Sequence, residues 1–193
     1  MPLILASSSS IRRDMLRSAG VEFEIVRSTI DEREAKARLT DPADVAAELA
    51  GAKAVDVSRS RPDDWVIGSD SVVSVGGRVF DKPGDRGEAA EHLRLFSGQE
   101  MRLTSAVALA RAGDVQWLHG ETARLRVREL SEAFIAAYLE AEWPEVGQTV
   151  GVFRMEGRGV QLFSSIDGDH FTILGMPLLP LLGALRDRGV LAA

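Results

Sequence analysis

The sequence predicts a mixed α/β or α+β fold, in which helices flank a mixed sheet. Short apolar runs typical of buried strands alternate along the chain with segments that carry helix start and stop signals. Some neighbouring strands are separated only by a hairpin turn, at Gly76-Gly77 for example, whereas others are separated by a helix. Parallel and antiparallel pairing are therefore both expected. The length of 193 residues and the absence of a composition break predict one domain over residues 1–193.

Capping residues predict where several helices begin and end. Asp41-Pro42 is a strong start signal, with Asp41 as N-cap and Pro42 at the first helical position. Ser131 is the predicted N-cap of a later helix, and Gly20 and Gly189 are predicted stops. The predicted helices are Arg12 to Ala19, Asp41 to about Val57, Glu88 to Phe96, Ser131 to Glu142 and Pro177 to Arg188.

Apolar runs between polar or glycine-containing segments predict the strands. The run that begins at Trp65 is expected to be a central strand that ends at Ser69-Asp70. Residues 112–114 are the predicted turn of a second hairpin, and Asp167-Gly168 is a further predicted turn, between Val160 to Ile166 and His170 to Leu174. The predicted strands are Leu3 to Ala6, Phe23 to Val26, Trp65 to Gly68, Val72 to Val75, Arg78 to Phe80, Leu103 to Ala110 and Val115 to Val127.

Composition and charge exclude several classes of function. The chain has no cysteine, which excludes disulfides, thiolate zinc sites and cysteine nucleophiles. A formal net charge of −6 argues against a general binder of nucleic acid or acidic membranes. The first residues lack the pattern of a signal peptide, and no run approaches ~18 apolar residues, so a cytoplasmic protein without a membrane span is expected. The three histidines lack ligand spacing, so no imidazole-based metal site is predicted.

The serine-rich segment Ser7 to Ser10 is a candidate anion site. It joins a predicted strand to the N-terminus of a predicted helix, where free N–H groups and the helix dipole favour an anion. Serine hydroxyls would add donors, and the fork of Arg12 can bind phosphate oxygens. The alternative is a serine-capped loop followed by two surface arginines.

Lys53 and several carboxylates are candidates for binding charge. Lys53 shares one helical face with apolar residues, so a phosphate or carboxylate partner is expected, although a snorkelling lysine has the same pattern. Asp70 follows a buried strand, where α/β folds bind ligands, and could hold a divalent cation or orient a water, or be a turn residue. Asp31-Glu32 offers carboxylates for a metal or is an acidic loop. Lys82 alone is typical of a turn with a surface lysine.

Taken in order, these segments resemble the Maf family of nucleotide pyrophosphatases, and the resemblance covers nearly the whole chain. Each motif is weak singly, but six in order are specific. The matching segments are the serine loop and paired arginines of residues 6–13, Asp31-Glu32, the L-A-x-x-K-A pattern of residues 49–54, Gly68-Ser69-Asp70-Ser71, Lys82-Pro83 with Ser97-Gly98, and Gly168-Asp169 through Gly175-Met176-Pro177-Leu178.

The resemblance implies an inosine triphosphate pyrophosphatase-like fold, with an elongated mixed sheet and a cleft between two lobes, often in a homodimer. It also implies hydrolysis of a nucleoside triphosphate to monophosphate and pyrophosphate with Mg²⁺ or Mn²⁺. The chemistry is consistent, because cations and a metal stabilise the charge that the leaving pyrophosphate gains. Carried over by position, the phosphate-holding residues would be Ser7, Ser9 and Arg12, the charge-neutralising residues Lys53 and Lys82, and the metal ligands Glu32 and Asp70, with Asp70 also the base for the attacking water.

The chain departs from the family patterns at positions expected to contact the substrate. Ile11 stands where many members have arginine and where the branch acting on 7-methyl-GTP has tryptophan, and Ser71 stands where threonine or glutamine is common. Residues 148–156 resemble that branch more than the dTTP and UTP branch, and they place a carboxylate at Glu156. A carboxylate only accepts hydrogen bonds, which suits the N1–H and N2–H₂ edge of guanine. The alternative for Glu156 is a surface residue or salt-bridge partner.

Four functions remain open from the sequence. The favoured one is a pyrophosphatase for modified guanine nucleotides, and a dTTP or UTP pyrophosphatase is the closest alternative. Some Maf relatives are associated with septum formation, so a nucleotide-binding regulator with little turnover is a third. A sugar-phosphate or phosphomonoester hydrolase, which would release free phosphate, is the fourth.

Overall fold

The computed structural model describes residues 2–192, except the side chain of residue 37, and it has a mixed α/β fold. Seven strands form one sheet in the order β2-β1-β3-β5-β6-β7, with β4 paired to β3. The strands are β1 (Leu3–Leu5), β2 (Glu24–Ile25), β3 (Trp65–Val75), β4 (Arg78–Phe80), β5 (Glu100–Arg111), β6 (Asp114–Val127) and β7 (Phe163–Asp167). The helices are α1 (Ser10–Ser18), α2 (Glu32–Arg38), α3 (Pro42–Ser60), α4 (Arg86–Phe96), α5 (Glu132–Glu142), α6 (His170–Ile173) and α7 (Leu178–Asp187), with 3-10 turns at Glu145–Gln148 and Arg158–Leu162.

The sheet contains both kinds of pairing that the sequence predicts. Strand β1 pairs in parallel with β2 and β3, and β3 pairs antiparallel with β4 across the Gly76-Gly77 hairpin. The turn between β5 and β6 holds Ala112 and Gly113 at φ 52° and 86°, the left-handed conformation of a two-residue hairpin turn. Both predicted hairpins are therefore confirmed.

The capping predictions are also confirmed. The Asp41 side chain accepts hydrogen bonds from the N–H groups of Ala43 and Asp44, at 2.7 and 3.3 Å, and Pro42 opens α3. The Ser131 hydroxyl accepts from the N–H of Phe134 at 3.2 Å at the start of α5. These ends agree because they depend on side chains that satisfy free N–H groups within the same turn.

One predicted strand end is wrong, and two further segments are helical where the sequence predicts no helix. Strand β3 does not end at Ser69-Asp70 but runs on to Val75, because the polar side chains at residues 69–71 have hydrogen-bond partners in the fold. Asp31-Glu32 is not a loop, since Asp31 caps α2 and Glu32 is its first residue. The segment after Asp167-Gly168 is the short helix α6, capped by Asp169, whose carboxylate accepts from the N–H of Thr172 at 3.0 Å.

The chain divides into two compact units, and each is assembled from separate segments. The first unit contains the chain as far as Ser71, Thr104–Thr122 and the chain from Asp169 onward. Its core is made of apolar side chains from β1, α1, β3, β5 and α7, among them Leu5, Leu16, Ile67, Leu109 and Leu181. The second unit contains Val72–Leu103 and Ala123–Gly168. One domain over residues 1–193 stays a prediction.

The second unit has an aromatic cluster in its interior. The ring of Phe80 lies edge-on to His92 and to Phe96, with centroid distances of 5.1 and 4.8 Å. All three side chains are buried.

Within residues 2–192, no helix is long and apolar enough to cross a membrane.

Candidate active site

Helix α3 packs closely against strand β3 because Gly68 has no side chain. A Cβ at residue 68 would overlap the carbonyl oxygen of Ala50 and lie 2.6 Å from the nitrogen of Ala54. Any larger residue would push the helix away from the strand. The close packing places Lys53, on α3, beside Asp70, which follows Gly68 on the same strand.

Lys53 bridges two carboxylates in the first unit. Its Nζ lies 2.6 Å from Asp70 Oδ1 and 2.7 Å from Glu32 Oε1. The side chains of Lys53 and Asp70 are only 14% and 11% exposed, so this charge is held mostly away from water. The lysine therefore has the carboxylate partners that its position on an apolar face predicts, and three separate elements contribute to one charged cluster.

A separate set of hydrogen bonds holds Glu32 near α3. The carboxylate of Asp56, on α3, accepts from the backbone N–H of Thr29 at 2.8 Å and from the hydroxyl of Ser28 at 2.9 Å. Asp31 then caps α2 by accepting from the N–H of Arg33 at 2.9 Å. The bonds to Asp56 therefore hold the segment before Glu32 against α3, and the cap places Glu32 in the first turn of α2.

The charge of Glu32 is maintained by its neighbours. Burial opposes ionisation, but the hydrogen bond and positive charge of Lys53, with a smaller contribution from Lys36, outweigh it and lower the pKa of Glu32. Lys36 Nζ lies 3.6 Å from Glu32 Oε2. The carboxylate is therefore ionised at neutral pH and available to a cation.

The serine loop, residues 7–10, caps helix α1, which agrees with the alternative of a serine-capped loop. The Ser9 hydroxyl accepts from the N–H of Arg12 at 3.4 Å, and the Ser7 hydroxyl accepts from the N–H of Ser9 at 3.2 Å. Ser7 is buried, whereas Ser8 and Ser10 are exposed. This arrangement is compatible with anion binding as well, because the helix dipole and other N–H groups of the first turn remain.

Arg12 is directed into the protein rather than along its surface. Its Nε donates to the carbonyl of Gly175 at 2.9 Å, its Nη1 to the carbonyl of Ser69 at 2.9 Å, and its Nη2 to the hydroxyl of Ser71 at 3.0 Å. Burial lowers the pKa of Arg12, and the charges of Asp70 and Glu32 oppose that shift. Three of its five N–H donors are thus engaged by the protein.

A chain of hydroxyl groups extends from Ser71. Ser71 Oγ and Ser105 Oγ are 2.8 Å apart, and the Ser105 hydroxyl donates to the carbonyl of Thr172 at 2.8 Å. The Thr172 hydroxyl donates to Glu121 Oε2 at 2.7 Å. These bonds connect β3 with β5, α6 and β6 within the first unit, and they satisfy the buried hydroxyls of Ser105 and Thr172.

The structure brings together most of the site residues that the sequence predicts in the first unit. Lys53, Asp70 and Glu32 form one cluster, and the charges of Asp70 and Glu32 act on the guanidinium of Arg12. Ile11, the second residue of α1, is half-buried. The assignment of these residues to catalysis or substrate binding stays a prediction.

Two predicted site residues belong to the second unit. Lys82 is exposed and lies shortly after β4. Glu156 is exposed, and its Oε1 accepts from Arg154 Nε at 3.2 Å, which is the salt-bridge arrangement considered as its alternative. A carboxylate in such a pair still has lone pairs for further donors.

Sequence reasoning gave no role to several residues that build the site. Gly68, Ser69 and Gly175 have a place only in the family motifs, and the sequence assigns no role to Ser105 or Thr172. The alternation of Ser69 and Ser71 on either side of Asp70 was a usable signal, because side chains of a strand alternate between its faces. The partners of these serines come from distant parts of the chain, so no local pattern predicts them.

The carboxylate pair has the donor chemistry that Mg²⁺ or Mn²⁺ requires. Mg²⁺ is often bound by one or two carboxylates together with substrate phosphates, rather than by a full protein cage. Glu32 and Asp70 supply two such carboxylates, and no group of three or more acidic or histidine side chains able to hold a metal is found among the described residues. The donor set therefore fits a cation that is shared with a phosphate ligand.

Fold and site together define a mixed α/β protein with a lysine-bridged carboxylate pair beside a serine-capped helix. The family described as "Maf-like protein" matches residues 2–188. The chain therefore belongs to the Maf-like family.

Curated relatives align with nearly the whole chain. A "7-methyl-GTP pyrophosphatase" of Rhizobium meliloti (strain 1021) is 49% identical over 195 residues, which cover 99% of this chain and 98% of the relative. One of the same description from Rhizobium etli is 50% identical over 193 residues, with 98% and 97% coverage. A "Nucleoside triphosphate pyrophosphatase" of Nitrobacter hamburgensis is 47% identical over 193 residues, with 99% and 96% coverage.

Proposed function

We propose that this protein hydrolyses nucleoside triphosphates to nucleoside monophosphate and pyrophosphate, with Mg²⁺ or Mn²⁺ and with modified guanine nucleotides as preferred substrates. The observation that carries the proposal is the convergence of Glu32, Lys53 and Asp70 within 2.7 Å contacts. Membership of the Maf-like family and the descriptions of the relatives, which name a triphosphate pyrophosphatase activity, support the same reaction.

The first unit offers groups that can bind a polyphosphate. The N-terminal turn of α1, with Ser7 and Ser9, supplies N–H groups and hydroxyls for phosphate oxygens. Lys53 supplies an ammonium that can neutralise the charge that the leaving pyrophosphate gains. A fixed positive group of this kind stabilises the transition state more than the ground state, because the charge develops during the reaction.

Glu32 and Asp70 are the residues that would hold the metal. When bound, Mg²⁺ or Mn²⁺ would supply Lewis-acid stabilisation of the phosphate oxygens. The carboxylates bring the negative charge that attracts the cation. Lys53 holds them on either side of its Nζ, which lies 2.6 Å from Asp70 and 2.7 Å from Glu32. Lys53 contacts only one oxygen of each carboxylate, and the second oxygen of each could bind the cation.

Asp70 is the proposed base for the attacking water. It would accept a proton as the water oxygen forms a bond to the α-phosphorus and the bond to the leaving pyrophosphate breaks. Its side chain is 11% exposed, so it is screened from bulk water yet still reachable. Its hydrogen bond with Lys53 orients the carboxylate.

Glu156 is the proposed reader of the base. An ionised carboxylate accepts two N–H donors from the Watson–Crick edge of guanine, whereas uracil and thymine present one N–H between two carbonyls. Arg154, at 3.2 Å, holds the carboxylate in one orientation. Relatives described as 7-methyl-GTP pyrophosphatases agree with this preference.

The experiment that tests the reaction is Asp70→Asn, assayed for pyrophosphate release with Mg²⁺ or Mn²⁺. The amide is the same size and can accept from Lys53, so the fold should be kept. Turnover is expected to fall by about 10²–10⁴-fold, the usual contribution of a general base. The matched control is Asp44→Asn, an exposed carboxylate of α3, which should keep the wild-type rate. Normal turnover by the Asp70 variant would reject the mechanism.

A nucleotide panel tests the substrate. Pyrophosphate and free phosphate are measured with 7-methyl-GTP, GTP, UTP and dTTP. Fastest release from the guanine nucleotides supports the role of Glu156, and fastest release from UTP or dTTP contradicts it. Binding without release would favour a nucleotide-binding regulator, and free phosphate as product would favour a phosphomonoester hydrolase. A homodimer and a cytoplasmic location stay predictions.

A further inference from the structure

We infer that Arg12 is a positioning residue that fixes Asp70 in strand β3, and that its main role is not to bind phosphate. The inference rests on the proposed function in one respect, the assignment of Asp70 as the reacting carboxylate. It replaces the role of phosphate ligand that the family resemblance implies for this arginine.

The contacts of Arg12 bracket Asp70 along the strand. Nη1 donates to the carbonyl of Ser69, directly before Asp70, at 2.9 Å, and Nη2 donates to the hydroxyl of Ser71, directly after it, at 3.0 Å. The planar guanidinium spans both neighbours at once. A rigid fork that contacts both sides of a residue fixes its backbone more firmly than a single bond does.

The two bonds of Arg12 to Ser69 and Ser71, called the clamp below, also set the direction of the Asp70 carboxylate. Successive side chains of a strand point to opposite faces. The Oγ atoms of Ser69 and Ser71 both lie 3.1 Å from the carbonyl oxygen of Gly175, so the two side chains share one face. Asp70 must then point to the other face, where Lys53 Nζ lies 2.6 Å from its carboxylate.

The Gly175 carbonyl is the third anchor of the guanidinium. It accepts from Arg12 Nε at 2.9 Å, and the Oγ atoms of Ser69 and Ser71 both lie 3.1 Å from it. Gly175 has φ 104°, a conformation that favours glycine, and a Cβ there would lie 3.3 Å from Ser71 Oγ. The backbone at this position is therefore adapted to present its carbonyl to Arg12.

The protein leaves two of the five N–H donors of Arg12 unengaged, so turning the whole fork toward a phosphate would break bonds that it already makes. Burial already penalises the charged form of Arg12, and the protein compensates with three acceptors and with the negative charges of Asp70 and Glu32. Withdrawing the fork would leave the Ser69 carbonyl without this partner inside the protein. The arrangement favours a guanidinium that keeps these bonds while the substrate is bound.

The test separates positioning from phosphate binding by comparing kcat with KM. Arg12→Gln and Arg12→Lys remove the fork, and Ser71→Ala removes one of its acceptors. If Arg12 positions Asp70, kcat should fall by about 100-fold in the Arg12 variants and by up to about tenfold in Ser71→Ala, while KM for the triphosphate changes by less than about threefold. A large rise in KM with kcat retained would overturn the inference. Arg17→Gln, an exposed arginine of α1, is the control for loss of charge and should behave as wild type.

A second measurement does not depend on turnover. A double-mutant cycle measures the coupling between Lys53 and Asp70 from the shifts in Tm of Lys53→Met, Asp70→Asn and the double variant. The cycle is measured in the wild-type background and again in a protein that carries Ser71→Ala or Arg12→Gln. Positioning predicts that the coupling falls by roughly half or more once the clamp is removed. An unchanged coupling would contradict it. Ser71→Ala keeps the test usable if Arg12→Gln does not fold. If the wild type released no pyrophosphate, the proposed function would fail and this cycle would still decide the role of Arg12.

Discussion

Two buried ionisable groups, one in each unit, are accommodated in opposite ways. Lys53 of the first unit has a side chain that is 14% exposed, and its Nζ lies 2.6 and 2.7 Å from two carboxylates. The His92 side chain of the second unit is 8% exposed and packs against Phe80 and Phe96. Its Nδ1 has no hydrogen-bond partner among the described residues, and Glu88 is 3.7 Å from its Nε2.

The difference lies in the neighbours and not in the degree of burial. A buried charge is tolerated when it is paired and hydrogen-bonded, whereas a titratable group among apolar rings loses its charge. Burial lowers the pKa of His92, with a smaller contribution from Arg78, and Glu88 only partly opposes it. The first arrangement brings opposite charges together, and the second provides packing.

The largest effect should follow from Gly68→Ala, which attacks the packing on which the Lys53 cluster depends. The new Cβ would lie 2.6 Å from the nitrogen of Ala54 and overlap the carbonyl of Ala50, both backbone atoms of α3. Overpacking against backbone is costly, so the free energy of unfolding should fall by about 3 kcal/mol or more. Chemical denaturation measures it.

Gly183→Ala is the matched control for that substitution. Gly183 lies inside α7, and a Cβ there would meet no described atom within 4 Å. Since alanine is a better helix former than glycine, this variant should be more stable by up to about 1 kcal/mol. Equal effects of the two variants would show that close packing at Gly68 is unimportant.

Next in size, Lys53→Met should convert the paired cluster into one with unpaired charge. The substitution keeps the length of the side chain but leaves Asp70 and Glu32 without their shared cation. Removing one partner of a buried ion pair should lower the free energy of unfolding by about 3 kcal/mol. We expect this lower end of the usual range because the Glu32 side chain is 39% exposed. The free energy of unfolding is measured beside Lys36→Met, which removes a longer 3.6 Å contact with Glu32 and should cost less than about 1 kcal/mol. Similar losses in both variants would mean that burial adds nothing to the pair.

The smallest effect concerns His92 and appears only as a pH dependence. The pKa of His92 in the folded protein lies below the value of 6.5 that it has when unfolded. The unfolded chain therefore takes up the proton first, and the stability of the fold should decrease as the pH falls below about 6.5. One such group changes the free energy of unfolding by at most about 1.4 kcal/mol per pH unit.

His92→Phe should remove this contribution while keeping an aromatic ring beside Phe80 and Phe96. Urea unfolding at several pH values between 5 and 7 measures the slope for the wild type and the variant. His170→Phe, at an exposed histidine, reports the effect of the substitution itself. The same slope in the wild type and in His92→Phe would contradict a neutral His92 in the folded protein.

Local signals predicted the elements whose ends depend on neighbouring residues. The cap at Asp41, the hairpin at Gly76-Gly77 and the helix that begins after Ser131 are examples. The end of β3 could not be predicted in this way. Ser69 and Asp70 look like the polar end of a strand, and only their contacts with Gly175 and Lys53 allow the strand to continue.

The candidate site shows the same division. The helical face of Lys53 predicted a charged partner for this lysine. The resemblance supplied Glu32 and Asp70 as candidate metal ligands. The role of Gly68 in admitting α3, and the direction of the Arg12 fork toward Ser69, Ser71 and Gly175, were not predicted. A short-range pattern contains no information about which carbonyl from a distant segment will meet a guanidinium.

The sequence by itself determined the mixed α/β class, the main capped helices and hairpins, and the family, because these depend on local propensity and on the order of short motifs. The tertiary structure alone decided that Lys53 bridges Asp70 and Glu32 and that Arg12 is directed inward. The physical reason is that ion pairs and hydrogen bonds form where side chains meet in space. The Gly175 carbonyl and the Arg12 fork, 163 positions apart in the chain, meet only in the folded protein.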